Sequence, residues 1–214
     1  MTNIKLITVC SHPEHAEVLR RSAELHGWDF VCIHVPEWKG FGTKLIEVYN
    51  YLLDNPDVNE FVFADAYDVI VMGGEEEFRS KLPDCGMLAS AERGLWPPTL
   101  ESYRAEYTHT EQGFDFINSG LYYAKAATFI HIMESNPPMY ESDDQEWMNQ
   151  MYLQGAPIQI DNYQTVFNSH SHIHEGDYKY NGRVEIMGNN PVFVHKNGRT
   201  VDPKLDELVK EMLG

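Results

Sequence analysis

Along the first half of the chain, short runs dense in β-branched and aromatic residues alternate with stretches whose apolar positions recur at helical spacing. Residues 4–10 (IKLITVC) predict a first strand. Between residues 13 and 26, Ala16, Leu19 and Ala23 mark one helical face, and Gly27 supplies a C-terminal stop. Residues 30–35 predict a second strand. Thr43 then reads as the N-cap of a helix carrying Leu45, Ile46, Val48, Tyr49, Leu52 and Leu53. Residues 60–64 (EFVFA) have the apolar character of a strand buried in a parallel sheet, and residues 87–91 predict a fourth strand.

The second half is more mixed. It predicts strands at 118–124, 157–160 and 192–194, helices at 126–134 and 143–153, and a last helix at 203–213 capped by Asp202. The βαβαβ rhythm implies right-handed crossovers and an open, mostly parallel twisted sheet flanked by helices. Ligands are expected beyond the carboxyl ends of its strands. No repeat, low-complexity tract or Gly/Ser/Pro linker divides the chain, so residues 1–214 are expected to form a single α/β domain.

Charge narrows the partners. Asp and Glu total 33 against 16 Lys and Arg, a formal net charge of -17. Such a field repels phosphate backbones and anionic bilayers, which disfavours nucleic acid and membrane docking. Cys10, Cys32 and Cys85 are too few and too scattered for a disulfide framework, and they lack the Cys-x-x-Cys spacing of a zinc cage. With no signal-peptide core and no apolar run of bilayer length, a soluble cytoplasmic protein is expected.

Two carboxylates, Asp65 and Asp68, appear abruptly where the buried run of residues 61–64 should be ending. A tight turn there would aim both at one point on the sheet edge, a pattern suited to Mg²⁺ or Mn²⁺ beside a phosphate. The same two residues would also serve as ordinary turn formers. Asp143 and Asp144 precede an amphipathic helix, where acidic residues are normal caps. The Asn118-Ser119-Gly120 tripeptide could offer polar groups to a ligand or simply turn the chain. Near the C-terminus, the apolar run of residues 192–194 ends in His195, Lys196 and Asn197; an imidazole there suits Mn²⁺ better than Mg²⁺. His170, His172 and His174 alternate as three strand-face imidazoles would. One strand rarely offers them to a single ion in tetrahedral geometry, so an exposed loop is expected. Gly40 to Lys44 lacks the spacing of a phosphate loop, and neither a dinucleotide fingerprint nor a Gly-x-Ser-x-Gly elbow is present.

These segments, in this order, resemble the glycosyltransferase domain of procollagen lysyl hydroxylases and related collagen, viral and bacterial glycosyltransferases. The resemblance rests on Glu37-Trp38-Lys39-Gly40, Gly42-Thr43-Lys44, Phe63-Ala64-Asp65-Ala66-Tyr67-Asp68, Ser90-Ala91-Glu92 with Trp96-Pro97, and Asn118-Ser119-Gly120. Asp143-Asp144-Gln145, Asp161, Phe167 and His195-Lys196-Asn197-Gly198 complete it, so it spans nearly the whole chain. It implies a GT-A fold and a metal-dependent transferase that moves a hexose, glucose or galactose, from a UDP-sugar to a hydroxyl acceptor. By the same resemblance, Asp65, Asp68 and His195 are metal ligands, and Tyr67 stacks on uracil. Trp38, Lys44, Trp96, Asn118, Lys196 and Asn197 surround the donor, and Asp143 or Asp144 orients the sugar or receives the acceptor proton. Two departures stand out: the donor loop around residues 40–44 is short, and Lys196 replaces a small residue. The rival readings are a nucleotide-sugar hydrolase or phosphoesterase, and a silent sugar-nucleotide-binding module. The acceptor is expected to be a glycan, protein or small molecule.

Overall fold

The computed structural model describes residues 3–171, 174 and 176–214. The N-terminal half alternates β1 (Lys5–Cys10), α1 (Glu17–Leu25), β2 (Asp29–His34), α2 (Gly42–Asp54) and β3 (Glu60–Ala64). β4 (Val69–Val71), α3 (Glu75–Lys81), β5 (Met87–Glu92), β6 (Phe116–Lys125), α4 (Ala126–Ser135) and α5 (Asp144–Leu153) follow. The chain ends with β7 (Ile158–Ile160), β8 (Phe167–Ser169), β9 (Tyr178–Tyr180), β10 (Val184–Ile186), β11 (Phe193–His195) and α6 (Pro203–Leu213).

The main sheet has six strands in the order β2-β1-β3-β6-β5-β7. β1 pairs in parallel with β2 and β3, and β5 with β7; β6 alone runs against its neighbours. The sheet is therefore mostly parallel, as the alternating pattern implies, and both faces are covered. β3 shows why its sequence is apolar throughout. Phe61 and Phe63 enter the core under α2, α4 and α5, while Val62 and Ala64 face α1, α3 and the smaller sheet. Phe61 meets Phe129 edge-on at 5.4 Å and Phe63 stacks on Tyr122 at 5.0 Å. Cutting either Phe to Ala would cost about 3–5 kcal/mol.

α1 stops as its glycine predicts. Gly27 has φ of +73°, its N–H bonds to Glu24, and the Trp28 N–H bonds back to Ala23. Asp202 caps α6 by accepting the Lys204 and Leu205 N–H groups at 3.0 and 3.1 Å. Thr43 does not cap α2. The helix begins at Gly42, and the Thr43 hydroxyl is buried without a partner, because Gly42 is wedged against the 139–140 backbone. A Cβ on Gly42 would lie 2.0 Å from the Met139 carbonyl oxygen.

The C-terminal run predicted at residues 192–194 is observed as β11, outside the main sheet. β11 pairs antiparallel with β4 and parallel with β8 in a second, three-stranded sheet. β4, α3, β8, β9 and β10 have no counterpart among the elements expected from sequence. Among the described residues, no helix is long and apolar enough to cross a membrane.

Candidate active site

Register builds the site. β3 ends at Ala64, and the Asp65 N–H donates to the Gly120 carbonyl at 2.8 Å, fixing the turn beside β6. β4 starts at Val69, which pairs with His195 of β11, and the Lys196 N–H donates to the Asp68 carbonyl at 2.8 Å. Two segments 127 residues apart in numbering thus end at one point. His195 Nε2 lies 3.2 Å from Asp68 Oδ1 and 3.8 Å from Asp65 Oδ2. Neighbouring ligands of an octahedral ion held at about 2.1 Å stand about 3 Å apart; the His195–Asp68 pair has that spacing, and all three residues offer an atom within 4.8 Å of one another, close enough to hold one divalent cation.

The imidazole is aimed by its second nitrogen. Asn118 Oδ1 accepts the Gly120 N–H at 3.0 Å, so the amide oxygen faces the ring and accepts a hydrogen bond from His195 Nδ1–H, also at 3.0 Å. Nε2 is left unprotonated for a cation when the ring is neutral. Gly120 is the space that admits the ring: a Cβ there would sit 2.1 Å from His195 Cε1 and 2.7 Å from Asp65 Oδ2. The Asn-Ser-Gly tripeptide therefore lies inside a strand, one residue orienting the imidazole and another making room for it.

Without an ion, the cluster balances its own charge. Burial disfavours imidazolium at His195, but the Asp68 carboxylate outweighs burial and raises the pKa above the ordinary histidine value. Burial also opposes the charge on Asp68, and His195 reverses that effect to lower its pKa. Lys44 is buried between two acids, 2.8 Å from Asp65 Oδ1 and 2.6 Å from Asp144 Oδ2. Desolvation would strip its proton, yet Asp144 and Asp65 hold its pKa above the usual lysine range. Asp65 thus spends one oxygen on Lys44 and turns the other toward His195.

Two clefts meet over this cluster. The larger, about 740 Å³, brings together Asp65, Asp68, His195, Lys44, Trp96, Asn118, Asp143, Asp144 and Asn197. The smaller, about 400 Å³, is bounded by Trp38 and Tyr67 and shares Phe41, Lys44, Asp65 and Asp68 with the larger. Both aromatics are exposed, and the Tyr67 hydroxyl accepts the Ser11 and His12 N–H groups. Asp143 caps α5 through Oδ1, which accepts the Glu146 N–H at 2.8 Å. Lys196 lines neither of these clefts; its ammonium pairs with Asp206 of α6 at 2.5 Å.

Glu92 is a site residue that the chemical reading of the sequence passed over. It is buried in the larger cleft and accepts from Gln145 Nε2 at 2.5 Å, Asn197 Nδ2 at 2.8 Å and Ser171 Oγ at 3.1 Å. Burial raises its pKa, and the hydrogen bonds from Gln145 and Ser171 restrain the rise. A glutamate at a strand end ordinarily points to water, so its type carried no signal beyond its place in the Ser90-Ala91-Glu92 segment. Asp161 is structural: its carboxylate accepts the N–H groups of Thr165, Val166 and Phe167. Phe167 is core.

The histidine-rich segment is not wholly an exposed loop. His170 is fully buried, with Nε2 2.7 Å from Asp202 Oδ2 and its ring 4.2 Å from that of Tyr178. Pairing between the β8 end and α6 pulls it inward, whereas His174 is exposed. His172 lies outside the described residues.

The split carboxylate–imidazole group lies where β3 of the main sheet and β11 of the second sheet end, and the comparisons supply the class: a glycosyltransferase domain on a GT-A-like α/β fold. The chain belongs to the PLOD GT domain family, whose profile matches residues 3–210. It is 30% identical over 152 residues to the multifunctional procollagen lysine hydroxylase and glycosyltransferase LH3 of Pongo abelii. That alignment covers 65% of this chain but only 20% of the relative. The fold is also that of galactosyltransferase LgtC, solved with donor and acceptor sugar analogues, at TM-score 0.55 and 12% identity over 99% of this chain and 95% of that one. A glycosyltransferase involved in glycosylation of the major capsid of PBCV-1 gives TM-score 0.53 at 12% identity, covering 99% and 98% of the two chains.

Proposed function

We propose that residues 1–214 act as one catalytic unit that transfers a hexose, glucose or galactose, from a UDP-sugar to a hydroxyl acceptor with the aid of Mn²⁺. The observation that carries this reading is the junction of the Asp65–Asp68–His195 group with the aromatic cleft of Trp38 and Tyr67. A flat base would rest in the cleft that Trp38 and Tyr67 line, with the diphosphate reaching over Asp65 and Asp68 into the larger cleft. When bound there, the cation offsets the donor's negative charge and acts as a Lewis acid on the departing UDP.

The chain supplies the remaining work. Asn118 holds the His195 ring in its ligating tautomer, and Lys44 keeps Asp65 and Asp144 from repelling each other. Asn197, Trp96 and the carboxylates of Asp143 and Asp144 surround the space into which the sugar extends. Asp144 is buried and paired with Lys44, whereas Asp143 is half-buried and spends only Oδ1 on the α5 cap, so Asp143 is the candidate to receive the acceptor proton. Mn²⁺ is favoured over Mg²⁺ because one ligand is an imidazole nitrogen.

The test is a screen of UDP-sugars for Mn²⁺-dependent UDP release, with and without hydroxyl acceptors. Transfer to an acceptor supports the reading. Donor hydrolysis without transfer would instead establish a nucleotide-sugar hydrolase, and binding without turnover a silent module. His195→Ala should weaken Mn²⁺-dependent turnover; an unchanged metal response would strike His195 from the ligand set.

A further inference from the structure

Two of the three cysteines meet behind the nucleotide cleft. In the parallel pairing of β1 with β2, Cys32 stands opposite Thr8 and Cys10 opposite His34, so the cysteines sit a diagonal step apart on one face. Their Sγ atoms are 2.9 Å apart. A disulfide closes to about 2.05 Å, so less than about 1 Å of travel, shared by two side chains, would join them. Cys10 is fully buried, whereas Cys32 is half-buried on β2, the edge strand of the main sheet. Burial, assisted by the hydrogen bond to Cys32, pushes the Cys10 thiol up to about 12. Cys10 therefore keeps its proton, and Cys32 is the sulfur that a solute meets first.

The pair also touches the site. Cys10 packs with Ala16 and with Ala66, which lies inside the Asp65–Asp68 turn, and Cys32 lies against this cluster. The two residues after Cys10 donate their N–H groups to the Tyr67 hydroxyl, Ser11 at 3.1 Å and His12 at 3.0 Å.

We propose that Cys10 and Cys32 form a reversible dithiol–disulfide site, oxidised by a hydroperoxide, whose closure draws the Ser11–His12 backbone away from Tyr67 and loosens the base cleft. Cys32 sheds its proton and its sulfur attacks one peroxide oxygen; the O–O bond breaks, a sulfenic acid forms, and the departing hydroxide takes that proton and leaves as water. The Cys10 sulfur then attacks Cys32; the S–S bond forms, the S–O bond breaks, and the hydroxyl departs as a second water with the Cys10 proton. Two thiols and one hydrogen peroxide thus yield one disulfide and two waters. The direction of movement follows from the strand order, since β2 lies on the side of β1 opposite β3 and its Tyr67 turn.

The bond itself stands independently of the proposed donor; the effect on the cleft rests on that reading. The reduced chain is treated with hydrogen peroxide and digested without reductant for mass spectrometry. A linked Cys10–Cys32 peptide lighter by two hydrogens, reversed by dithiothreitol and missing in Cys32→Ser, is the expected result. Cys32 accumulating as sulfinic acid while Cys10 stays a thiol, or linkage to Cys85 instead, would overturn the site. UDP affinity in the presence of Mn²⁺ is then compared between the two forms. The disulfide form should bind roughly three- to tenfold more weakly, through loss of hydrogen bonding to Tyr67, while peroxide-treated Cys32→Ser is unchanged. Equal affinity with the disulfide formed would refute the coupling to Tyr67. If the reduced chain binds no UDP, the donor reading falls and the peptide map alone decides the dithiol site.

Discussion

Two buried imidazole–carboxylate pairs end adjacent strands of the smaller sheet, and they differ in what remains unfilled. His195, at the end of β11, faces Asp68, whose side chain is 41% exposed toward the cleft, and the second carboxylate of Asp65. His170, just past the end of β8, faces Asp202, whose side chain is only 8% exposed. Asp202 is saturated: one oxygen accepts two N–H groups of α6, and the other accepts from the Tyr180 hydroxyl and faces His170. Asp68 has lone pairs to spare. The same residue types therefore leave a group able to take a ligand where acceptors stay open to a cleft, and a structural clasp where every acceptor is spoken for.

Substitutions that empty one pair or the other would break or sharpen this contrast. The largest effect is expected from Asp68→Ala, which should lower Mn²⁺-dependent turnover at least about 100-fold while the chain stays folded. Calorimetric Mn²⁺ titration beside a melting curve checks it, and an intact metal response would place the cation elsewhere. Gly120→Ala should act nearly as strongly without replacing any of the three residues, because the new methyl would collide with the His195 ring and Asp65. Asn118→Ala frees the ring to rotate and should weaken Mn²⁺ binding about 10- to 100-fold, read by the same titration.

The clasp should answer to stability instead. Asp202→Ala removes both a helix cap and a buried hydrogen-bond acceptor, costing about 2–4 kcal/mol in urea unfolding and leaving Mn²⁺ affinity unchanged. The smallest effect concerns pH. Burial holds the His170 pKa below the ordinary 6.5, an effect that Asp202 opposes and Lys196 reinforces. The unfolded chain then binds more protons than the folded one, so this contribution is complete above pH 6.5 and declines as pH falls through that value. In urea unfolding of wild type and His170→Gln, the gap between them should be narrower at pH 5.5 than at pH 7.5. A gap that widens would contradict the neutral, buried assignment.

The main sheet and one half of the ligand group were legible because they are local. The apolar run of β3 is broken by Asp65 and Asp68 at the place where the strand leaves the core, and Gly27 and Asp202 act where simple capping rules put them. The proximity of His195 to Asp68 was not legible from residue pattern, because it depends on β4. That strand is three residues long and hidden behind the acidic turn. Glu92 and His170 escaped for a different reason. Each is a polar side chain drawn inward by partners distant in sequence, Asn197 for the first and Asp202 for the second, and periodicity does not report such pairings. Thr43 failed as a cap because a backbone contact, at Gly42, set the helix start before side-chain chemistry could.

The seam between residues 40–42 and 139–141 has a consequence for remodelling. Gly40, at φ +140°, and Gly42 touch the Met139–Glu141 main chain so closely that neither position has room for a methyl group. One side of this seam precedes Lys44, and the other leads into Asp143 and Asp144. A graft that lengthened the 40–42 segment to accept a bulkier donor would therefore shift the acidic side unless residues 139–141 were exchanged with it. The two loops form one transplantable cassette, and swapping half of it should yield a chain that folds but misplaces Lys44 relative to Asp144.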